Sequence, residues 1–535
     1  MNLRLWLLLS VFSLPLFVSL DTSSIWDANE AFYVQTPREM VESSNWLVPH
    51  FNGEPRLNKP PLAYWLVASL YSLFGVSVFW VRLLTAVCGV AAIVAVFRLG
   101  VQLFSTPVAV LGAGIFATTF RFLILSRRAF IEILLLALLL WTLVSLFSWL
   151  RSGRSAYLYV ASILLGLAFL TKGPLVLLLP AVFAVFLAIS GRSHLLRKPA
   201  LLPAILLFLG AAGSWFVALG LIHGWQPVAI FFFEENLGRY AFLSYGPERG
   251  LEYYPLVFLG DFFPWSILFL VSLPWWLKKG QPQDARLSML FLGLWIAAWM
   301  VVFSLSHNKQ EYYILPVYPA ASLWLARYLQ QPRYDRLGSV PAGLILFFVS
   351  LALPAAMSVL VRPTPLWWLL ALPGFSFAAF LARRHFGAAV VSLSLFFFLA
   401  FHLLSGPLER FRPVRRLARQ IEILEENQEG PFRAGYLKMA SPSLAFYLNQ
   451  PILELFEFDE AAACLSSTTR TYLLLDESDL EALKARAASD TYVAATSPRL
   501  STNFRSFLQA LRSDRWRTRE AWLKQVVLVS NQPTS

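Results

Sequence analysis

Long apolar runs separated by short polar turns dominate the chain as far as about residue 405. A run of about 20 apolar residues is long enough to cross a bilayer as a helix. For the first run, residues 3–20, the alternative is a cleaved signal peptide, but the run ends without a small-residue cleavage site, which favours a retained span. The pattern predicts thirteen spans, near 3–20, 81–104, 107–125, 130–150, 156–171, 173–190, 200–222, 254–277, 287–305, 311–329, 339–361, 366–382 and 386–405.

One polar segment interrupts this alternation of spans and short turns. Residues 21–80, called here the first polar segment, hold carboxylates, bases and aromatic side chains. A connection of this length must fold against the rest of the molecule, and loops held by a rigid scaffold commonly carry function. The apolar stretch after Pro60 and Pro61 is too short to span a bilayer, so we expect a surface-lying or re-entrant helix there.

The composition changes after residue 405. Charged residues return, and short apolar strands at 472–475 and 526–529 alternate with helical stretches such as 478–488. This alternation is typical of a small α/β unit. The sequence therefore predicts an all-α membrane domain over residues 1–405, followed by a soluble α/β domain over residues 406–535.

Composition and charge support a membrane protein. The chain is 57% hydrophobic and 14% charged, whereas soluble domains carry about 25% charged residues. Its net charge of +13 does not indicate nucleic-acid binding, because the basic residues lie in short loops on alternate sides of successive spans. This distribution follows the positive-inside rule and places residues 21–80 and the C-terminal region outside the cytoplasm. The two cysteines and six histidines show no metal-binding spacing, so no metal or other cofactor is predicted.

Three carboxylates are candidates for chemistry. Asp27 and Glu30 lie in the first polar segment with the spacing of a helix capping box, and capping is the alternative to a catalytic role. A carboxylate at a helix N-terminus above the membrane is also well placed to accept a proton from a hydroxyl. Glu132 lies near the start of a predicted span, where it either pairs with Arg128 one helical turn earlier or faces a polar cavity.

Four basic residues lie at predicted membrane boundaries on the same side as the first polar segment. One such residue is usually a snorkelling side chain, but the positive-inside rule should deplete this side of basic residues. An anionic ligand at the membrane surface, such as a lipid phosphate, explains their position better. Tyr313 follows shortly after the last of them. The four are Lys59, Arg128, Lys172 and Lys309.

The order of these motifs resembles a known family, the integral-membrane glycosyltransferases of the GT-C fold, which include lipid A aminoarabinose transferases and protein O-mannosyltransferases. The resemblance covers roughly residues 1–330. It is carried by Asp27-x-x-Glu30-x-x-Tyr33, Asn58-Lys59-Pro60-Pro61, Thr171-Lys172-Gly173-Pro174, Glu235-Asn236-Leu237-x-Arg239-Tyr240, Phe263-Pro264-Trp265 and Ser304-x-Ser306-x-x-Lys309-x-x-x-Tyr313.

The resemblance implies roles for several residues. It implies that Asp27 or Glu30 is the catalytic carboxylate, and that Glu132 occupies a place where the family usually has an aspartate. It also implies that the donor phosphate contacts a group of three residues, Lys59, Lys172 and Tyr313.

This sequence departs from the family pattern at three positions. Asn29 replaces the aspartate of an adjacent Asp-Glu pair. Asn58 and Asn236 replace a glutamate and a histidine that are associated with a bound metal in the aminoarabinose transferases. These changes point away from a structural zinc and from lipid A in particular.

The expected activity is inverting transfer of a sugar from a polyprenyl-phosphate donor to a hydroxyl of a lipid, glycan or protein acceptor. The expected location is the extracytoplasmic face of a bacterial inner membrane. Membrane lipids are the other expected partners. The alternatives are a lipid-linked-sugar transporter, whose polar residues cluster near the bilayer midplane, and a non-catalytic protein that keeps the fold. If the transferase hypothesis holds, the three carboxylates, Lys59, Lys172, Lys309 and Tyr313 should converge on one cavity.

Overall fold

Helices make up most of the described chain as far as Glu409, as the apolar runs predict. The computed structural model describes residues 3–27, 29–242, 248–274, 282–331, 339–360, 364–487, 490–500 and 523–533. Its α-helices up to Glu409 are Leu3–Ser13, Glu30–Ser43, Leu62–Phe74, Val78–Leu103, Thr106–Ala117, Phe120–Ser126, Ile131–Ser152, Ser155–Lys172, Leu178–Ile189, Leu201–His223, Gln226–Ala229, Arg239–Ala241, Tyr253–Asp261, Trp265–Ser272, Gln283–Leu305, Val317–Leu329, Ser339–Leu360, Ala371–Ala382 and Phe386–Glu409. Short 3₁₀ segments cover Leu14–Phe17, Pro174–Leu177, Ser193–Arg197, Glu311–Ile314 and Pro365–Leu370, and a π-helix covers Ile230–Gly238.

Within the described ranges, seven helices are long and apolar enough to cross a membrane, or up to nine if each of two bent pairs is one span. This confirms a polytopic all-α membrane protein. The predicted spans at 3–20, 173–190 and 311–329 coincide with shorter described helices, and the span at 339–361 coincides with helix Ser339–Leu360. The total of thirteen therefore stays a prediction, and positions 275–277 and 361 of two predicted spans lie outside the described residues.

The two bent helix pairs meet at their breaks. One pair turns by 67° around residues 118–119, and the other turns by 119° around residues 262–264. The Trp265 indole donates to the Thr118 hydroxyl at 3.0 Å, and the Arg121 guanidinium pairs with Asp261 at 2.7 Å. A break in a membrane helix frees polar groups that need partners. These contacts supply partners and fix the two bends against each other.

The first polar segment folds into two helices and a hairpin. Helix Glu30–Ser43 is followed by β1 (His50–Phe51) and β2 (Glu54–Pro55), which pair antiparallel. Asn52 and Gly53 have φ values of 59° and 81°, the left-handed conformations that a two-residue hairpin turn requires. Helix Leu62–Phe74 then confirms the short apolar helix expected there.

The C-terminal region contains a five-stranded sheet. Its strands are β3 (Phe432–Leu437), β4 (Leu453–Leu455), β5 (Arg470–Asp476), β6 (Tyr492–Leu500) and β7 (Leu523–Ser530), in the spatial order β4-β3-β5-β7-β6. Strands β3, β4 and β5 are parallel, whereas β7 runs antiparallel to β5 and β6. Helices Pro413–Glu425, Ser443–Leu448, Phe458–Leu465 and Glu477–Lys484 connect and cover the strands. The predicted α/β character is confirmed.

The C-terminal region packs on the first polar segment. Asn52 exchanges two hydrogen bonds with the backbone of Ile452, at 2.9 and 2.7 Å. The Tyr447 hydroxyl accepts from the Ile25 amide at 2.8 Å. Helix Phe386–Glu409 continues past residue 405, so the predicted domain boundary falls inside a helix and stays a prediction.

Candidate functional site

A cavity of about 580 Å³ opens beside the first polar segment. We call it the lysine cavity, because two lysines predicted from the sequence line it. Its polar lining residues are Lys59, Lys172, Glu235, Asn236, Arg239, Tyr240, Ser306, Asn308 and Tyr313, and its apolar ones include Leu175, Leu177, Leu178, Phe232, Leu237, Val302 and Phe303. Such a lining suits a ligand with a polar head and an apolar chain.

Lys59 carries the charge in this cavity that is least compensated. Its ammonium donates to the carbonyl of Asn58 at 3.0 Å, and no ion pair involves it among the described side chains. Burial lowers the pKa of Lys59 to about 7, and the positive charges of Lys172 and Arg239 lower it further than Glu235 and Glu132 restore it. A bound anion would offset both the burial of the Lys59 charge and its repulsion by Lys172 and Arg239.

Lys172 and Glu132 form a buried ion pair at the edge of the lysine cavity. The Lys172 ammonium lies 3.0 Å from Glu132 Oε1 and 4.7 Å from the ring centre of Tyr313. Glu132 begins one helix and Lys172 ends the next, the positions where helix dipoles favour these charges. The alternative pairing of Glu132 with Arg128 is therefore wrong. Glu132 Oε2 has no hydrogen-bond partner among the described atoms.

Glu30 lies in a different polar cluster. The Arg82 guanidinium binds it in a bidentate manner, at 2.7 and 2.9 Å, and Arg128 approaches to 3.4 Å. The amides of Trp26 and Ala129 also donate to its carboxylate, at 2.8 and 2.9 Å. Burial alone would raise the pKa of Glu30, but the two arginines outweigh burial and hold it at about 2. We call Glu30, Arg82 and Arg128 the buried ion cluster.

Arg82 also binds the backbone at the start of the first polar segment. Besides binding Glu30, it donates to the backbone carbonyls of Leu20, Ser23 and Ser24 at 2.9, 2.8 and 3.0 Å. Arg82 is not among the site residues predicted from the sequence. The available signal was an arginine inside an apolar run, which requires a buried partner.

Asp27 joins the first polar segment to the C-terminal region. Its Oδ1 accepts from the Ser443 amide at 3.0 Å, and the side chain is half-buried. Burial raises the pKa of Asp27 to about 6, although the hydrogen bonds from Ser443 and the charge of Arg412 oppose the shift. The Ser443 amide binds one oxygen of the Asp27 carboxyl. The second oxygen and the raised pKa suit this carboxyl to proton transfer.

The capping predictions need correction. Helix Glu30–Ser43 begins after Asn29, and Asp27 hydrogen-bonds to Ser443 instead of capping its own helix. Thr36 and Glu39, which have the same capping-box spacing in the sequence, lie inside the same helix, and Glu39 binds the amides of Asn52 and Gly53. Asp27 and Glu39 thus each bind the backbone of a segment farther along the chain.

The predicted site residues therefore divide between two places. Lys59, Lys172 and Tyr313 line the lysine cavity, and Glu132 contacts it through Lys172. Asp27, Glu30 and Arg128 lie outside that lining, so the single cavity expected for all the candidates is not what the structure shows. Lys309 is buried next to the cavity, where its ammonium donates to the Ser306 carbonyl at 2.5 Å. Their catalytic and binding roles stay predictions.

A row of aromatic rings joins the two places. Trp26, next to Asp27, packs on Phe130 with ring centres 6.2 Å apart. Phe130 contacts Tyr312 at 5.9 Å, and Tyr312 contacts Tyr313 in the cavity wall at 5.3 Å. A substrate that touches both the lysines and Asp27 would lie along this row.

Two asparagines lie where metal-associated residues of related enzymes are expected. The Asn236 amide donates to the Phe231 carbonyl at 2.7 Å, and Asn58 Oδ1 has no hydrogen-bond partner among the described atoms. Zinc sites use thiolate, imidazole or carboxylate ligands. Within the described part of the chain no group of three or more His, Cys, Asp or Glu side chains is placed to hold a metal. These residues do not fit a zinc site, and the absence of a cofactor stays a prediction.

Comparisons with known proteins agree on the type of protein. Residues 58–216 match the family model described as dolichyl-phosphate-mannose-protein mannosyltransferase. An uncharacterised protein of Aquifex aeolicus is 29% identical over 82% of this chain and 85% of its own length. An undecaprenyl phosphate-α-4-amino-4-deoxy-L-arabinose arabinosyl transferase of Pseudomonas fluorescens is 31% identical over 64% of this chain, and the match spans 61% of that relative.

A solved structure has the same fold. The crystal structure of ArnT from Cupriavidus metallidurans bound to undecaprenyl phosphate matches with a TM-score of 0.75. The match covers 99% of this chain and 98% of that chain at 19% sequence identity. At this identity the match shows the shared fold, including the C-terminal region.

Proposed function

We propose that this chain, which belongs to the GT-C-fold membrane glycosyltransferases related to aminoarabinose and protein O-mannosyl transferases, transfers a sugar from a polyprenyl-phosphate donor to an acceptor hydroxyl outside the cytoplasm. The lysine cavity is the observation that carries this proposal. It combines uncompensated positive charge at Lys59 with apolar walls. A prenyl chain ending in a phosphate has the complementary chemistry.

The donor phosphate binds at Lys59, with Lys172 and Tyr313 beside it. Three cations, Lys59, Lys172 and Arg239, face two carboxylates, because Glu132 pairs with Lys172 and Glu235 pairs with Arg239. The balance leaves one positive charge for a phosphate. Leu175, Phe232, Leu237 and Val302 are among the apolar lining residues that bind the prenyl chain.

Asp27 acts as the general base. When both substrates are bound, it removes the proton of the acceptor hydroxyl as that oxygen attacks the anomeric carbon, and the bond from this carbon to the phosphate oxygen breaks. This step requires binding to bring Asp27 and the phosphate together from the two places, since the base must reach the attacking oxygen by a hydrogen bond. The bonding electrons leave with the polyprenyl phosphate, whose growing charge Lys59 stabilises. Displacement in one step inverts the anomeric configuration. Glu30 is unsuited to this role, since Arg82 and two backbone amides already fill its carboxylate.

A reconstitution experiment tests the transferase proposal. Purified protein in nanodiscs receives a panel of radiolabelled undecaprenyl-phosphate sugars together with membranes that supply acceptors. We expect label to move into acceptor and unlabelled undecaprenyl phosphate to appear in equal amount, with the new bond of opposite anomeric configuration by NMR. Failure to consume any of the donors, or retention of configuration, contradicts the proposal.

A lipid-linked-sugar transporter is the second candidate, because broken helices are typical of transporters. The two bent pairs are such helices. Their breaks are closed by the Arg121–Asp261 ion pair and the Trp265–Thr118 hydrogen bond, which favours a fixed scaffold. Proteoliposomes that move the intact lipid-linked sugar across the bilayer without an acceptor would support the transporter.

A further inference from the structure

A second, polar groove of about 320 Å³ lies between the first polar segment and the C-terminal region. One wall is helix Glu30–Ser43, which presents Gln35, Glu39 and Glu42 on one face at a spacing of one helical turn. The opposite walls are the β1–β2 hairpin, through His50, and the turn after helix Ser443–Leu448, through Gln450. Two parts of the chain that are 400 residues apart thus build one groove.

Polar atoms in this groove lack partners. Gln35 is only 4% exposed, and its Oε1 makes no hydrogen bond in the described structure. His50 Nδ1 and Gln450 Nε2 are also buried, and neither has a hydrogen-bond partner among the residues that the structure describes. A buried polar atom without a hydrogen bond is costly. Three such atoms around one groove indicate a ligand that supplies hydrogen bonds.

The rest of this groove is held rigidly. Glu39 accepts from the Gln35 amide at 2.9 Å and from the backbone amides of Asn52 and Gly53 at 2.9 and 3.2 Å. Asn52 in turn exchanges its two hydrogen bonds with Ile452. The hairpin and the C-terminal turn are therefore fixed in place before any ligand binds.

The charge of the groove restricts its ligand. Glu39 and Glu42 contribute carboxylates, of which Glu42 pairs with Arg38 at 2.9 Å behind the lining, and none of the described lining residues is itself a lysine or arginine. The charge of the lining is therefore that of Glu39. Phosphate and carboxylate groups are repelled by such a surface, whereas hydroxyl and amine groups donate to it. This is the opposite of the lysine cavity, so the groove does not suit the donor phosphate.

We propose that this groove is an outer subsite for the acceptor, and that it binds a sugar unit bearing hydroxyl or amine groups. The proposal rests on the transfer reaction with Asp27 as base. Glu39 lies nine positions after Glu30 along the helix, which is a rise of about 13 Å. The groove thus binds a part of the acceptor away from the reacting hydroxyl. The acceptor is therefore an extended glycan or glycolipid head, uncharged or cationic where it contacts the groove.

Blocking the groove tests this inference. In a Cys88→Ser, Cys464→Ser background, Gln450→Cys is labelled with a bulky maleimide, and Glu460→Cys, exposed on another helix, is the labelled control. Transfer into native membranes should fall at least tenfold for labelled Gln450→Cys and should not fall for labelled Glu460→Cys. A tenfold loss is the size expected when a few hydrogen bonds to the acceptor are lost. Binding of undecaprenyl phosphate should stay unchanged. Equal transfer by the two labelled proteins overturns the groove proposal.

Two further results separate the possible failures. The milder substitutions His50→Ala and Gln450→Ala should raise the acceptor KM without changing the donor KM, and unchanged acceptor KM values overturn the subsite. Neutral chitotriose should inhibit transfer more strongly than anionic trigalacturonic acid; the reverse order overturns the ligand class. Unsubstituted protein that transfers nothing contradicts the proposed function itself, and the subsite falls with it.

Discussion

The buried ion cluster and the lysine cavity both contain charged residues of the first polar segment, yet their charges are satisfied to different degrees. Glu30 accepts hydrogen bonds from Arg82 and two backbone amides, and Arg82 also donates to backbone carbonyls. Among the described residues, the Lys59 ammonium donates to the Asn58 carbonyl and pairs with no carboxylate, and Glu132 keeps one oxygen without a hydrogen-bond partner. A saturated cluster stabilises a fold, whereas an unsaturated one can still bind a ligand.

Asp27 belongs fully to neither place. It borders the buried ion cluster in sequence, but its contact is to Ser443 of the C-terminal region. Its raised pKa contrasts with the low pKa of Glu30 three residues later. Opposite shifts in neighbouring carboxyls are typical of sites that assign them different roles. The comparison therefore predicts different outcomes for similar substitutions.

Replacement of the base should have the largest effect on activity. Asp27→Asn keeps an oxygen for the Ser443 amide but cannot accept a proton, so transfer should fall about 10²–10⁴-fold. The thermal midpoint and undecaprenyl phosphate binding should change little. Asp21→Asn, an exposed aspartate of the same segment, is the matched control. Transfer by Asp27→Asn at the control rate would remove Asp27 from the mechanism.

Breaking the buried ion cluster should mainly affect folding. Arg82→Met removes the bidentate partner of the buried Glu30 and leaves Arg128 at 3.4 Å as the remaining cation, which costs about 3–5 kcal/mol. The expected result is a large fall in thermal midpoint in detergent, with any folded fraction still binding undecaprenyl phosphate. Arg98→Met, exposed on the same helix, should be harmless. A stable Arg82→Met protein that has lost only activity would place the cluster in the catalytic site.

Removing the uncompensated lysine should weaken donor binding. Lys59→Met deletes a charged hydrogen bond to the phosphate, so undecaprenyl phosphate should bind about 10- to 100-fold less tightly. Its thermal midpoint should not fall, because Lys59 has no ion pair to lose among the described residues. Lys198→Met, in an exposed loop, controls for net charge. Unchanged affinity in Lys59→Met would remove the phosphate from this cavity.

The smallest predicted effect is the pH dependence of kcat/KM. Activity should rise as Asp27 loses its proton, around its raised pKa of about 6. It should fall as Lys59 loses its charge, around its lowered pKa of about 7. Lys59→Arg keeps the charge at higher pH, so its falling limb should move upward while the rising limb stays in place. A profile that this substitution does not alter would contradict the role of Lys59 in the free enzyme.

The helices and the α/β region could be predicted from the sequence, because apolar runs and composition are local properties. Prediction from the sequence fails where a side chain meets a partner far along the chain. Glu30 resembles a cap until Arg82 folds against it, and Glu132 pairs with Lys172 forty residues later instead of Arg128. From the sequence alone, Glu30→Gln is expected to fold. The bidentate contact with Arg82 now predicts that it destabilises the protein.

The position of the bound phosphate tests the central claim most directly. A cryo-electron microscopy structure of the full chain in nanodiscs with undecaprenyl phosphate would show it. The account predicts a phosphate within hydrogen-bond distance of Lys59, a prenyl chain along the apolar wall near Leu237, and an unchanged Glu30–Arg82 pair. A phosphate bound to Arg128 or Arg82 in place of Glu30 would reverse the two roles and contradict the account.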